Sequence, residues 1–199
     1  CGTSGAAPGT TACERQTEGA VDQALYGGAR NSESSGRMSY VQIRYSGYVL
    51  GSNSELQALT LEGVGSGTEL DYIQSYNSSD DGAEFFGGTV NMKHYISVGA
   101  DDDSLDMDTG VQANLQYLLL IQRSGAGDTL MELDSNGNES QTPRQVSRIA
   151  NFTAIQPATS SRPVCSSAAT KPRPNALPID WKVIWAAMPY PTTTAIRAR

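Results

Sequence analysis

Histidine is nearly missing from this chain, cysteine is scarce, and no apolar run approaches membrane-spanning length. Each shortage removes a class of function. With one histidine (His94) and three cysteines (Cys1, Cys13, Cys165), no His/Cys zinc set exists at ligand spacing. The longest apolar stretch, Tyr117–Ile121, is strand length, far short of the roughly 18–20 residues of a membrane-crossing helix. Phenylalanine is rare too, three against nine tyrosines, which suits β-surfaces that stay partly wet. No Gly-x-Ser-x-Gly is present, and Cys13 has no recognisable base. Gly63-Val64-Gly65-Ser66-Gly67 lacks the Lys-Ser/Thr of a phosphate loop and reads as a corner. The chain opens on Cys1 with neither initiator Met nor signal peptide, so it reads as processed or as a fragment.

Basic residues are short over most of the length. Residues 1–157 hold 20 of the 21 acidic and 8 of the 14 basic residues, a net of −12, whereas residues 158–199 carry a net of +5. An acidic body excludes a nucleic-acid partner, because phosphate binding needs a basic footprint. It is compatible with bound cations or neutral glycans.

What the chain does have is repetition. Helical periodicity fails almost everywhere, while Tyr40-Val41-Gln42-Ile43-Arg44-Tyr45 alternates as a strand with Val41 and Ile43 inward. Leu70-Asp71-Tyr72-Ile73-Gln74-Ser75 lies over Met92-Lys93-His94-Tyr95-Ile96-Ser97 at an offset of 22, and a shift of 23 brings Leu115-Gln116-Tyr117-Leu118 into line. Met38–Tyr45 and Ile149–Phe152 read as further turns with insertions. A unit of 22–23 residues with two short strands and Gly-rich corners predicts an all-β, right-handed parallel β-helix. Its coils stack about 4.8 Å apart and close a core only together. Leucine-rich repeats would need regular leucines and a helical half, and an immunoglobulin-like sandwich would not repeat at 22. Residues 1–35 then form an N-terminal loop or cap and residues 36–157 the coils. Residues 158–199 form an irregular or short-helical tail, with Trp181 and Trp185 on an end-capping helix or on a non-native terminus. For Cys1 two readings stay open: a lipid-modified first residue, or a disulfide with Cys13.

Four segments carry a family resemblance: Ser39–Tyr45, Leu59–Thr68, Ser79-Asp80-Asp81-Gly82-Ala83-Glu84-Phe85-Phe86-Gly87-Gly88, and Asp101-Asp102-Asp103-Ser104-Leu105-Asp106. Over roughly residues 12–157 the chain resembles a family of bacterial β-helical proteins known as lipoproteins or hypothetical surface proteins. The resemblance implies secretion or attachment to the bacterial cell envelope, and it implies no particular activity. It also implies that Cys1 pairs with Cys13 in a disulfide, since such a segment lies inside the family's domain. The tail after Pro157 departs from the family, which continues with further coils.

The densest chemistry is an acidic ladder. The offset stacks Asp80 and Asp81 under Asp102 and Asp103, and Glu84 under Asp106, with Ala83, Phe85, Leu105 and Met107 turned inward. Carboxylates that close repel unless neutralised. The expectation is Ca²⁺ held by Asp80, Asp81, Asp102, Asp103 and Asp106, because that ion takes six to eight oxygens in irregular geometry. The competing readings are a solvated corner of Asp turns and catalysis by Asp81, Asp102 and Asp103. The catalytic reading resembles polygalacturonase-like glycosidases, but their His-Gly and Arg-Ile-Lys segments are missing. A lyase would need a base, and Lys93 and Arg123 are nearest by register. A second pattern is an aromatic column of Tyr40, Tyr72, His94 and Tyr117, either a platform for sugar rings or a surface of paired aromatics. The functional expectation is a secreted or cell-surface module, cation-stabilised and glycan-binding. Its alternative is a polysaccharide-active hydrolase or Ca²⁺-dependent lyase using the Asp ladder.

Overall fold

The structure, a computed structural model, describes residues 14–51, 54–134, 143–157 and 164–167. Cys1, Cys13, Trp181 and Trp185 lie outside the described residues, so the disulfide and the end-capping helix do too. A hairpin of β1 (Glu14–Gln16) and β2 (Leu25–Gly27) opens the described chain. A five-stranded parallel sheet then runs through β3 (Arg37–Arg44), β7 (Glu69–Tyr76), β9 (Asn91–Val98), β11 (Asn114–Ile121) and β13 (Arg148–Ile155). The second parallel sheet holds shorter strands, β6 (Thr60–Glu62), β8 (Glu84–Phe86), β10 (Asp106–Asp108), β12 (Met131–Leu133) and β14 (Cys165–Ser167). A small hairpin, β4 (Tyr48–Gly51) with β5 (Ser54–Leu56), is inserted between β3 and β6, within the first coil.

This is the expected parallel β-helix, and its register is the one the repeats predict. Leu70 pairs with Met92, Met92 with Leu115, and Leu115 with Ile149. On the second sheet Glu84 pairs with Asp106. The first coil is longer because β4 and β5 are inserted. Inward columns close one continuous core, with Leu61, Phe85, Met107 and Leu133 from the second sheet facing Leu70, Met92, Leu115 and Ile149 from the first. Burying a side chain of this size stabilises by about 1.5–3 kcal/mol, so no coil closes alone but several close together.

Two features differ from plain alternation. Each long strand is interrupted by one residue in the left-handed region: Tyr40, Tyr72, His94, Tyr117 and Asn151, with φ between 48° and 63°. These residues drop out of the pairing. The interruption acts like a bulge and turns two neighbours, such as Asp71 and Tyr72, to the same outer face before Ile73 returns inward. The second difference lies beyond residue 157, where β14 adds a rung to the second sheet by pairing with β12. Its sequence, Cys-Ser-Ser, has no apolar alternation to mark it as a strand. At the corner before β8, a Cβ on Gly82 would strike Ser97 Oγ and Tyr95 Oη. Only glycine lets the coils approach there.

Candidate functional site

Stacking places two contrasting columns on the outer faces of the two sheets. On the first sheet the left-handed residues form the aromatic column. Tyr40 and Tyr72 stack at 4.6 Å, Tyr72 and His94 at 4.3 Å, and His94 and Tyr117 at 4.9 Å, with ring planes within 9° of parallel. The four predicted binding residues are therefore brought together, but not as a flat platform. Rings stacked along the coil axis spend their faces on one another and turn their edges to solvent. A sugar could stack only on the column's two ends, chiefly on Tyr40, which is 78% exposed. The edges line a groove of about 660 Å³ whose other walls include Gln42, Gln74, Ile96, Leu119 and Asn151. The carboxylate of Asp71 holds the imidazole of His94, Oδ1 to Nδ1, at 2.7 Å.

The second sheet carries the acidic column, and it is covered. Residues 14–33 run across its outer face. Thr17 Oγ1 donates to Glu62 at 2.9 Å, Gln57 Nε2 donates to Glu18 at 3.0 Å, and Tyr26 packs on Phe86 at 6.4 Å. Beneath this cover one carboxylate oxygen from each of Asp81, Glu84 and Asp106 lies within 4.8 Å of the others. Asp81 and Glu84 are buried. Oδ1 of Asp106 is enclosed and accepts no hydrogen bond. Burial first, and the neighbouring carboxylates second, hold all three protonation equilibria well above the usual carboxylate range.

The ladder is thus real in register but not a solvated corner. Only Asp81 and Asp106 of the expected metal set reach this cluster, and Glu84, which the ladder stacked but the ligand set left out, completes it. Asp103 is buried and used otherwise. Its Oδ1 accepts from Thr129 Oγ1 at 2.9 Å and from Thr129 N, and burial pushes its pKa up to about 8. Asp81 Oδ1 caps Asp103 N at 2.8 Å. Each of these aspartates fastens its coil to the next through a buried bond to backbone N–H, rather than closing a solvated local turn. Asp80 is buried with its pKa pushed up to about 6, mainly by desolvation, whereas Asp102 is exposed. The catalytic trio Asp81, Asp102 and Asp103 therefore does not share one open face.

Three oxygens within 4.8 Å, an enclosed acceptor with no donor, and an all-carboxylate donor set fit a hard divalent cation such as Ca²⁺. The bases considered for a lyase do not fit this cluster. Lys93 stands on the outer face of the first sheet, in register with Asp71 and Gln116. Arg123 is ion-paired to Asp101. Sequence reasoning missed Glu18, whose carboxylate sits among Glu84, Glu55 and Asp80. It comes from the cover, and no repeat register links it to the ladder.

A family model described as a pectate-lyase-like β-helix domain matches residues 1–169. No curated protein and no solved structure matches the chain. The match spans both faces just described, so the chain belongs to the pectate-lyase-like β-helix family.

Proposed function

We propose that this chain is an exported, cell-surface or secreted polysaccharide-binding module, with its ligand along the aromatic groove and its fold locked by a divalent cation, Ca²⁺ by preference. One observation carries the reading. The aromatic column lines an open groove, while the carboxylates of Asp81, Glu84 and Asp106 lie beneath the N-terminal segment. Aromatic residues in the left-handed region cost about 1–3 kcal/mol each, and strain of this kind at exposed positions points to use. Asp81, Glu84 and Asp106 serve as cation ligands, with Asp103 holding the turn. The experiment is calorimetric titration of the chain with neutral and acidic oligosaccharides, repeated with Tyr72→Asn. Binding that survives this substitution unchanged would remove the groove from the account.

The rival reading, a polysaccharide hydrolase or lyase, draws on the family's description. Glycoside hydrolysis needs two carboxyl groups facing the scissile bond, and here Asp81 and Asp103 are buried and bonded to backbone of the next coil. Release of reducing ends or unsaturated products from a polysaccharide panel, lost in Asp102→Asn, would favour the enzyme.

A further inference from the structure

We propose that the groove on the first sheet selects neutral glycans, and that His94, held by Asp71, is the residue that sets this choice. The inference rests on the groove being the ligand site. It runs against the acidic polymer that the family's description names.

Among the described residues, the walls of the groove carry phenols, amides, aliphatic side chains and the imidazole of His94, with no carboxylate, ammonium or guanidinium among them. A uronate carboxylate entering there would shed water with no fixed cation to meet it, and an unpaired desolvated charge is costly. The cationic side chains of this sheet are engaged or set aside. Arg37 pairs with Glu69 at 3.3 Å, Arg148 donates to Asn114 at 3.3 Å, and Arg44 lies over the rings of Tyr45 and Tyr76. Lys93 stands in the column of Asp71, outside the lining.

The His94–Asp71 pair gives the groove its polarity. A carboxylate accepts, so the 2.7 Å contact puts a proton on Nδ1, and in that Nδ1–H tautomer Nε2 is an acceptor. Stacking between Tyr72 and Tyr117 keeps the ring plane parallel to theirs, and the Asp71 bond selects which edge faces the groove. The result is an acceptor between two phenols, a match for a sugar hydroxyl that can donate. Asn151 shows that asparagine serves at this position of the coil, since it holds φ 54° on the last rung. A histidine at φ 48°, with its own carboxylate partner, is more than the fold requires.

The test uses the only histidine in the chain, whose ring signals need no assignment. Nitrogen-15-labelled full chain is titrated by NMR with cellohexaose and mannohexaose as neutral probes and hexagalacturonate as the acidic one. The expected result is an Nδ1–H tautomer in the free protein and an Nε2 resonance that moves with a neutral probe but not with hexagalacturonate. Asp71→Asn, a near-isosteric change at a half-buried position, should mix the tautomers and weaken neutral binding about tenfold, the loss of roughly one good hydrogen bond. His94→Gln should weaken it at least as much. Hexagalacturonate moving Nε2 more tightly than either neutral probe would overturn the selectivity. Full affinity in both variants would overturn the role of His94 while leaving the groove. No shift at His94 with any of the three probes would overturn this inference and the groove reading together.

Discussion

The two sheets repeat their outward side chains at the same spacing, with opposite consequences. On the first, Tyr40, Tyr72, His94 and Tyr117 stack ring on ring, and each aromatic pair stabilises by about 0.5–1.5 kcal/mol beyond its buried area. On the second, Glu84, Asp106 and Glu132 occupy one register column. Two like charges one coil apart repel by on the order of 3 kcal/mol at an intermediate dielectric constant. Stacking therefore builds an exposed surface from rings but needs protons, a cover or a cation to tolerate acids. The N-terminal segment supplies the cover, and the raised proton affinities of the cluster record what remains uncompensated.

The largest expected effect separates the faces by pH. Asp80 and Asp103 are pushed up to about 6 and about 8 in the folded chain, against roughly 4 when unfolded. Between those values the folded state binds more protons, so stability falls as pH rises. The contribution is complete below about pH 4 and gone above about pH 8. Chelator-treated protein should melt roughly 5 °C or more lower at pH 8 than at pH 5, and Ca²⁺ should raise the melting temperature at pH 8 through Asp81, Glu84 and Asp106, whose proton affinities are raised as well. Melting curves with and without EGTA at both pH values check this. A flat, Ca²⁺-independent profile would leave the acidic cluster without a cation.

Next in size is Asp106→Asn. It removes one of three crowded carboxylates, so the metal-free variant should gain about 1–2 kcal/mol at pH 8, while the Ca²⁺-induced rise in melting temperature should shrink by at least half. Denaturant unfolding with and without Ca²⁺ reads both signs.

On the other face the effects are smaller and turn on backbone shape. Tyr72→Ala should destabilise by about 1–2 kcal/mol, losing two ring contacts while keeping a Cβ at φ 53°. Tyr72→Asn should cost less than the alanine, because asparagine tolerates this region. If the two cost the same, left-handed strain is not a term at this column. The smallest effect is Gln42→Ala, which removes an exposed hydrogen bond of 2.8 Å donated by Gln42 Nε2 to Gln74 Oε1 and should stay within about 0.5 kcal/mol.

Register was legible in the sequence because successive coils repeat the same inward residues. Leu70, Met92 and Leu115 announce one column, and Glu84 over Asp106 follows from the same offset. Burial of the ladder was not legible. Strand alternation turns Glu84 outward correctly, yet whether outward means wet depends on residues 14–33, which share no repeat with it. The direction of the rings was hidden for a related reason. Membership of Tyr72 and His94 in one column can be read from spacing, but the left-handed backbone that stands them edge-on leaves no trace in a pattern of apolar and polar residues. The strand at Cys165–Ser167 escaped because backbone pairing alone identifies it.

The central claim is that ligand binding belongs to the first sheet and structural support to the second. Isothermal titration with whichever oligosaccharide binds the unmodified chain, run in Ca²⁺ on folded Tyr72→Asn and Asp106→Asn, tests it most directly. The account predicts that Tyr72→Asn loses about tenfold or more in affinity, while Asp106→Asn binds as the unmodified chain does. Retained binding in Tyr72→Asn together with lost binding in Asp106→Asn would contradict it, and would move the functional site to the acidic face.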